Sequence, residues 1–258
     1  MNLSESLKRI RTEELRLHEA HEPCRLEKTA ADIRRDGMLR HPVLALDIGG
    51  GWMVVDGAHR LESLKKLGCA FAPVQVLTFE ALTLSSWIHQ VPDGDWLDEW
   101  VRASGLRVLT GDETPAGDGR WSVTWMRRGQ RFTIRLDQDV EHDDRIPLER
   151  WHQLVSAYSR RFPVCRLTQF PANPVESEFV WIRHPVRTPE DLVETVNRGD
   201  VLPAGVTRFR VEGRILNLCV PLALLEDDPR VAAEWEMALR HWSQHVRAYH
   251  ESVLLCEG

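Results

Sequence analysis

The stretch 54–68, which reads VVDGAHRLESLKKLG, constrains the fold more than any other part of the chain. Two β-branched residues lead into Gly57, a pattern typical of a strand that ends in a tight turn. Leucines then recur at a spacing of three, which puts Leu61, Leu64 and Leu67 on one face of a helix. The glycine that closes the stretch fits the C-terminal cap of that helix. The pattern therefore predicts a strand that turns directly into a helix.

The first turn of this predicted helix has the features of a phosphate site. Its unpaired backbone N–H groups and the positive end of its dipole point the same way, and His59 and Arg60 add side-chain donors. Gly57 makes the turn that precedes these groups. A plain strand-to-helix turn with a solvated arginine has the same spacing, so spacing alone leaves both interpretations open.

Composition bounds the class of protein. The 258 residues suffice for one large domain or two small ones. No apolar run approaches the roughly 18 residues of a membrane span, and the N-terminus lacks an apolar signal-peptide core. The five cysteines are scattered, with no CxxC pair, which is typical of reduced thiols. We therefore expect a cytoplasmic protein that does not act in a membrane.

The distribution of charge argues against a nucleic-acid-binding domain. The net charge is −6; residues 1–90 carry equal numbers of acidic and basic side chains, and the remainder carries the whole excess of acids. Domains that bind nucleic acid usually present a basic face, and neither part does so in bulk. A local basic patch is left open.

Turn-forming residues and hydrophobic periodicity along the chain predict two α+β domains. The first, 1–91, should contain helices over 3–11, 25–35, 58–67 and 81–89 and strands near 15–17, 42–46, 52–55 and 73–77. The sequence Pro-Asp-Gly-Asp at 92–95 is the predicted linker. The second domain, 92–258, should contain helices over 96–104, 147–160, 188–199 and 231–253, strands near 106–110, 121–127, 131–136 and 179–182, and a hairpin over 208–220. Most of the ten tryptophans are expected in cores.

The turn at Gly57 also carries a family resemblance. The sequence Gly57-Ala58-His59-Arg60 resembles the Gly-x-x-Arg motif with which the ParB/sulfiredoxin superfamily binds nucleotide phosphates at a helix start. Sulfiredoxins have a reactive cysteine where this chain has Ala58, which argues against that branch. ParB partition proteins typically read Gly-Glu-Arg-Arg and continue into a DNA-binding helix-turn-helix, whereas this chain continues into an acidic region with strands.

A third branch, the free L-serine kinases, matches best and over both halves of the chain. This branch includes the type found in staphyloferrin B siderophore pathways. Three separated motifs carry the resemblance: His18-Glu19 with Arg25, Asp56-Gly57-x-His59-Arg60, and the region from Leu202 to Leu222 with its Thr207-Arg208 and Gly213-Arg214 pairs. Two positions depart from the family pattern, since Ala204 replaces a proline and Phe209 replaces a histidine. The second departure leaves the identity of the acceptor open.

The resemblance implies roles for the base and for the nucleotide-binding residues of a phosphoryl-transfer site. Glu19 matches the family's catalytic glutamate, which would accept the hydroxyl proton, although Glu22 lies only three residues away. Asp56 would hold Mg²⁺ directly or through water; its alternative role is to cap the following helix. His59 and Arg60 would neutralise oxygens of the transferred phosphate. Whether ATP or ADP is the donor is left open.

The acceptor half rests on fewer residues. Arg208 could bind the α-carboxylate of an amino acid bidentately, and Thr207 could hydrogen-bond beside it. Trp87 matches a family tryptophan near the acceptor, although a packing role is equally compatible with its position. An arginine that simply faces solvent is the alternative for Arg208.

We therefore expect an α+β protein with a ParB/sulfiredoxin-like N-terminal domain, a second α+β domain packed against it and an active site in the cleft between them. Its expected activity is nucleotide-dependent phosphorylation of a free amino acid, L-serine first, to O-phospho-L-serine for cysteine, diaminopropionate or siderophore synthesis. The alternatives are a nucleotide-sensing, DNA-binding ParB-like regulator and a kinase of another small hydroxylated acceptor. A homodimer is compatible with the sequence.

Overall fold

A computed structural model describes residues 3–111, 119–140, 143–172 and 178–248 of the chain. These residues form two compact units. Unit 1 consists of residues up to Leu17, His21–Leu82 and the chain from Val211 onward, and unit 2 consists of His18–Ala20 and Thr83–Arg210. Each unit is thus built from separated pieces of the sequence.

The described residues contain fifteen strands and six α-helices. The strands are β1 Leu7–Arg11, β2 Leu15–Leu17, β3 Met38–Leu39, β4 Val43–Asp47, β5 Trp52–Asp56, β6 Phe71–Leu77, β7 Leu82–Ser86, β8 Ile88–Pro92, β9 Val108–Thr110, β10 Ser122–Arg127, β11 Gln130–Arg135, β12 Cys165–Leu167, β13 Phe179–Arg183, β14 Thr207–Val211 and β15 Val220–Pro221. The helices are α1 Pro23–Asp36, α2 Ala58–Lys66, α3 Asp95–Ser104, α4 Arg145–Ser159, α5 Pro189–Asn197 and α6 Pro229–His245.

Unit 1 is built on a five-stranded mixed sheet in the order β1-β6-β4-β5-β2. Its central strand β4 runs parallel to β6 and antiparallel to β5. The turn at Gly57 joins β5 to α2, as the sequence predicts, and α1 packs along α2. The strand-to-helix turn therefore sits at an end of the sheet's interior strands, where a side chain can be held firmly.

The C-terminal segment belongs to the core of unit 1. Buried apolar residues of this segment, among them Ile215, Val220 and Trp235, pack in one cluster with residues of the sheet such as Val54 and Val74. The predicted division at residue 91 therefore differs from the two units. Its predicted linker is only the short connection between β8 and α3, and Pro92 is the last residue of a paired strand.

Unit 2 is built on a six-stranded antiparallel sheet in the order β12-β8-β13-β10-β11-β9. Six of its tryptophans are at most 8% exposed, which confirms the expected role of most tryptophans in packing. They are Trp96, Trp100, Trp121, Trp125, Trp151 and Trp181.

Four predicted elements differ from the structure. Residues 3–11 form a short 3-10 turn and β1 rather than a helix, and residues 82–92 form β7 and β8 rather than a helix. In both cases pairing with a neighbouring strand overrides a weak local pattern. The predicted hairpin over 208–220 contains only β14, because Asn217 and Cys219 adopt positive φ angles that interrupt a strand. The helix predicted over 231–253 corresponds to α6, which ends at His245. Residues 249–253 of the predicted span lie outside the described ones.

Within the described ranges, we find no helix that is both long enough and apolar enough to span a bilayer.

Candidate functional site

The residues predicted to act on the nucleotide lie in unit 1, and those predicted to act on the acceptor lie in unit 2. Asp56, Gly57, Ala58, His59 and Arg60 occupy the end of β5 and the first turn of α2. Glu19, Trp87, Thr207 and Arg208 all belong to unit 2. The residues predicted for the nucleotide and those predicted for the acceptor thus belong to different units.

The turn at Gly57 depends on the absence of a side chain. Gly57 has a φ of 98°, a left-handed conformation that other residues rarely adopt. A Cβ atom placed on it would lie 3.0 Å from Nε of Arg60, because the Arg60 side chain folds back over the turn. The Arg60 guanidinium donates to the carbonyl oxygens of His41 and Pro42 and to the carboxylate of Asp56. Arg60 therefore fixes the backbone around the helix start.

Asp56 is held as a carboxylate by two arginines. Its Oδ2 atom lies 2.5 Å from a terminal nitrogen of Arg60 and 3.1 Å from Nη1 of Arg214. Burial acts to raise the pKa of the Asp56 carboxyl, but the two guanidinium groups outweigh it and leave the pKa below the ordinary value. Sequence reasoning assigned no role to Arg214 by itself, although the Gly213-Arg214 pair was part of the family resemblance.

His59 is neutral rather than cationic. The backbone N–H of Glu22 donates to Nε2 of His59 at 3.0 Å, so the ring proton lies on Nδ1. Burial and the nearby charge of Arg25 lower the pKa of His59 to about 4. This pKa describes the ring without a bound phosphate, and the expected role of His59 beside the phosphate stays a prediction. The neutral ring can offer a hydrogen bond from Nδ1.

Glu19 is a buried carboxyl group gripped by backbone N–H groups. Its side chain is 18% exposed, the N–H of Thr207 donates to Oε2 at 3.2 Å, and the N–H of Gly205 faces the same carboxylate. Nε2 of His18 lies 3.8 Å from the same oxygen. Burial raises the pKa of the Glu19 carboxyl above its ordinary value, against the opposing effects of His18, the two N–H groups and Arg166.

The loop 202–207 is tied to the segment that carries Glu19. Leu202 pairs with it in both directions, since its N–H donates to the carbonyl of His18 at 2.8 Å and its carbonyl accepts from Ala20 at 2.8 Å. Gly205 has a φ of 70°, and a Cβ there would lie 2.1 Å from a nitrogen of Arg166. The guanidinium of Arg166 therefore lies directly against the backbone of Gly205, next to the Glu19 carboxylate.

The predicted acceptor residues contact one another. The guanidinium carbon of Arg208 lies 5.0 Å from the centre of the Trp87 ring, a cation–π arrangement. The N–H of Trp87 donates to the carbonyl of Val206 at 3.0 Å, which ties it to the same loop. Phe209, which departs from the family pattern, packs edge-on against His18 with ring centres 5.2 Å apart.

A series of hydrogen-bonded, buried polar side chains leads to this loop, and the sequence did not predict it. Trp151 Nε1 lies 3.0 Å from Nδ1 of His184, whose Nε2 lies 3.1 Å from the Tyr158 hydroxyl. The Tyr158 hydroxyl lies 2.7 Å from Nδ1 of His89, and Nε2 of His89 lies 2.7 Å from the carbonyl oxygen of Gly205. Each of the four side chains belongs to a residue that is at most 1% exposed. The sequence signal was weak, because His89 fell in a predicted helix and His184 in a loop.

The buried histidines predict a stability that falls in acid. Burial lowers the pKa of His89 to about 4, from an ordinary value near 6.5, so the unfolded chain binds the additional proton between these pH values. Stability is therefore fully present above the unfolded pKa and is lost as the pH falls toward 4, at about 1.4 kcal/mol per pH unit for each such histidine. Urea unfolding between pH 4.5 and about 6.5 measures this slope. His89→Gln should reduce the slope by nearly one proton.

A buried hydrogen bond between two threonines provides the control for that measurement. The hydroxyls of Thr124 and Thr133 lie 3.2 Å apart and neither side chain titrates, so Thr133→Val should lower stability at every pH and leave the slope unchanged. An H89Q slope equal to that of the unsubstituted protein would contradict the prediction.

The described residues contain no group of three or more His, Cys, Asp or Glu side chains placed to hold a metal ion. Asp56 is therefore the carboxylate on which the predicted Mg²⁺ site depends. Magnesium in nucleotide sites is usually held by one or two carboxylates together with phosphate oxygens and water. A single ionised aspartate beside a phosphate cradle is compatible with that pattern.

No protein-family model matches the chain. Among characterised proteins, it is 33% identical over 261 aligned residues to the ATP-dependent L-serine kinase SbnI of Staphylococcus aureus, an alignment that covers 99% of each chain. It is also 29% identical over 104 residues to the ATP-dependent L-serine kinase of Staphylothermus marinus, which covers 38% of this chain and 41% of that protein.

Solved structures agree with these relatives. A C-terminally truncated SbnI from Staphylococcus aureus superposes with a TM-score of 0.83 at 33% identity, covering 94% of this chain and 100% of that one. A free serine kinase in complex with AMP superposes with a TM-score of 0.68 at 20% identity, covering 85% of this chain and 93% of that one. The second likeness shows a shared fold.

Proposed function

The chain belongs to the family of ATP-dependent free L-serine kinases, and from this premise we propose that it transfers a phosphoryl group from ATP to the hydroxyl of free L-serine. The observation that carries the proposal is the partly buried carboxyl of Glu19, which accepts a hydrogen bond from the N–H of Thr207 in unit 2. A nucleotide sensor without catalysis has no need of such a base. The α+β fold is shared with a free serine kinase, which supports the same conclusion.

Unit 1 supplies the residues for the nucleotide in this proposal. The unpaired N–H groups at the start of α2 bind phosphate oxygens, and Nδ1–H of His59 donates a further hydrogen bond. Arg60 acts mainly by holding the turn in shape, because its guanidinium is bonded to two backbone carbonyls and to Asp56. Arg214 adds positive charge beside Asp56, so the local balance favours an anionic ligand.

Asp56 would hold Mg²⁺, directly or through water, when the ion enters with the nucleotide. The bound ion would offset negative charge on the phosphates during transfer. The lowered pKa of Asp56 keeps this carboxyl ionised at neutral pH, as a ligand must be. The two arginines on Oδ2 orient the carboxylate.

Unit 2 supplies the base and the acceptor clamp. The serine hydroxyl loses its proton to Glu19, its oxygen attacks the γ-phosphorus of ATP, and the bond from that phosphorus to the bridging oxygen breaks to release ADP. Two N–H groups on the Glu19 carboxylate keep it aimed. Arg208 binds the α-carboxylate of serine, with its guanidinium steadied on the Trp87 ring and Thr207 as a neighbouring hydrogen-bonding group.

The product, O-phospho-L-serine, carries a good leaving group on its β-carbon. We propose that a cytoplasmic pathway uses it for replacement at that carbon, as in synthesis of cysteine, diaminopropionate or a siderophore. Phe209 departs from the family pattern and lies against His18, so the identity of the acceptor requires a direct test.

Phosphorus NMR tests the proposal directly. The protein is incubated with Mg²⁺, ATP or ADP and a panel of serine, threonine, homoserine and glycerate. We expect a new phosphomonoester signal with ATP and serine, and conversion of ATP to ADP in equal amount. No new phosphomonoester with any acceptor would overturn the kinase proposal, and a signal with another acceptor alone would change the substrate.

Arg208→Lys should separate binding of the acceptor from binding of the nucleotide. Lysine keeps the charge but loses the planar, two-pronged contact with a carboxylate, so KM for serine should rise by about tenfold. KM for ATP should stay within about twofold, because the nucleotide residues lie in unit 1. Arg210→Lys is the matched control, since Arg210 lies two residues further along the same strand and is exposed. Equal KM values for serine in the two variants would contradict the role of Arg208.

A further inference from the structure

The buried chain from Trp151 to Gly205 has a single direction of hydrogen-bond donation. The indole N–H of Trp151 can only donate, so Nδ1 of His184 accepts. Burial keeps the pKa of His184 well below its ordinary value, so the ring is neutral and its proton lies on Nε2. That proton is donated to the hydroxyl oxygen of Tyr158.

The other end of the chain fixes the remaining protons. The carbonyl oxygen of Gly205 can only accept, so Nε2 of His89 carries a proton. The neutral His89 ring therefore accepts at Nδ1, and the Tyr158 hydroxyl donates to it. Nε2 of His184 also lies 3.1 Å from Nδ1 of His89, so its proton faces both the Tyr158 hydroxyl and the His89 ring. In either case donation runs toward Gly205, and each neutral ring carries its proton on Nε2.

The end point of this chain lies between the two groups that grip Glu19. The N–H of Thr207 donates to the Glu19 carboxylate, and the N–H of Gly205 faces the same group. The Gly205 carbonyl belongs to the peptide group that lies between these two donors along the chain. Holding that carbonyl fixes the orientation of the intervening peptide and hence the spacing of the two N–H groups. The guanidinium of Arg166 closes the other side of Gly205, which removes room for the loop to shift.

We propose that His89 is a positioning residue for Glu19, acting through its hydrogen bond to the Gly205 carbonyl, with Tyr158, His184 and Trp151 fixing its proton. The inference rests on the proposed role of Glu19 as base and adds a group that does not touch substrate. A shift of about 1 Å in a reacting group can cost about a hundredfold in rate, so a loosened loop acts on kcat. The affinity for nucleotide should not change.

Two substitutions of nearly equal shape test this role. His89→Gln retains an amide N–H that can reach the Gly205 carbonyl, whereas His89→Met has the same chain length and no donor. We expect H89Q to keep kcat within about threefold and H89M to lose at least about tenfold, with KM for ATP unchanged in both. His89→Asn, whose amide is one carbon shorter, should behave like H89M and serves if the apolar variant does not fold.

A control in the same unit separates positioning from loss of a buried hydrogen bond. The hydroxyls of Thr124 and Thr133 lie 3.2 Å apart in the buried part of β10 and β11, so Thr133→Val removes a comparable bond away from Glu19. T133V should lower the melting temperature without changing kcat. Equal kcat values for H89Q, H89M and H89N in an active enzyme overturn the inference alone. An unsubstituted protein that makes no phosphoserine overturns the proposed function, and the inference with it.

Discussion

Glu19→Gln is expected to lower kcat for serine phosphorylation by about a hundredfold or more, since general bases typically contribute 10²–10⁴ in rate. Glutamine has nearly the same shape and keeps an oxygen that can accept the N–H of Thr207, so the fold should be retained. KM for ATP should change little, because the substitution removes a proton acceptor and leaves the nucleotide residues of unit 1 intact. Steady-state kinetics with ATP, serine and Mg²⁺ measures both constants.

The pH dependence of the unsubstituted enzyme should identify the same group. A base must be ionised, so kcat should fall as the pH drops through the pKa of Glu19, which burial raises above its ordinary value. The residual activity of E19Q should lack this acid limb. The remaining rate would come from substrate positioning alone.

Glu22→Gln is the matched control for this experiment. Glu22 is an exposed glutamate three residues along the chain, and the hydrogen bond from its backbone N–H to His59 is preserved by the substitution, which removes only the side-chain charge. E22Q should retain kcat within about twofold. A loss in E22Q as large as that in E19Q, or a loss in E19Q of less than about tenfold, would exclude Glu19 as the base.

The donor half of the site could be predicted from sequence because it is local. Asp56, Gly57, His59 and Arg60 are adjacent in the chain, and the change from strand to helix pattern puts them at one turn. The charge of His59 could not be predicted, because it depends on burial and on an N–H group 37 residues away in the chain. The motif thus gave the positions but not the protonation state.

The surroundings of Glu19 could not be predicted from sequence because they are assembled from distant segments. The bond from Thr207 to Glu19 spans 188 residues, and the one from His89 to Gly205 spans 116. The family resemblance named both Glu19 and Thr207, in separate motifs and without a contact between them, and the hydrogen-bonded side chains from Trp151 to His89 have no local signature. A strand misread as a helix over 81–89 put His89 in the wrong element, and only strand pairing with β12 and β13 corrects it.

The C-terminal segment is likewise held in unit 1 by contacts between residues that are far apart in the chain. Gln75 on β6 bonds through both ends of its amide to the segment, donating to the carbonyl of Gly213 and accepting from the N–H of Ile215 at 2.8 Å each. These bonds place Arg214 beside Asp56. Sequence patterns show where helices and strands begin, whereas such long-range polar pairs decide which unit a segment joins.

Gly57→Ala is expected to weaken nucleotide binding by about a hundredfold, which is roughly 2.7 kcal/mol at 1.36 kcal/mol per factor of ten. A methyl group at φ 98° is strained, and it would approach Nε of Arg60 to 3.0 Å. To relieve this contact, the Arg60 side chain must give by a few tenths of an ångström, which weakens its hydrogen bonds to Asp56 and to the carbonyls that it holds. Nucleotide would then have to restore the cradle on binding, and calorimetric titration with ATP and with ADP measures the lost affinity.

Gly68→Ala isolates the effect of the arginine from that of the backbone. Gly68 follows the same helix with a φ of 79°, and a Cβ placed there has no atom within 4 Å. Both variants therefore carry the strain of a positive φ, worth about 1–2 kcal/mol of folding stability, but only G57A disturbs Arg60. Both should unfold at lower temperature, while G68A should bind nucleotide like the unsubstituted protein. Equal affinities in the two variants would show that the turn does not preorganise the phosphate site, and that Arg60 stabilises the loop alone.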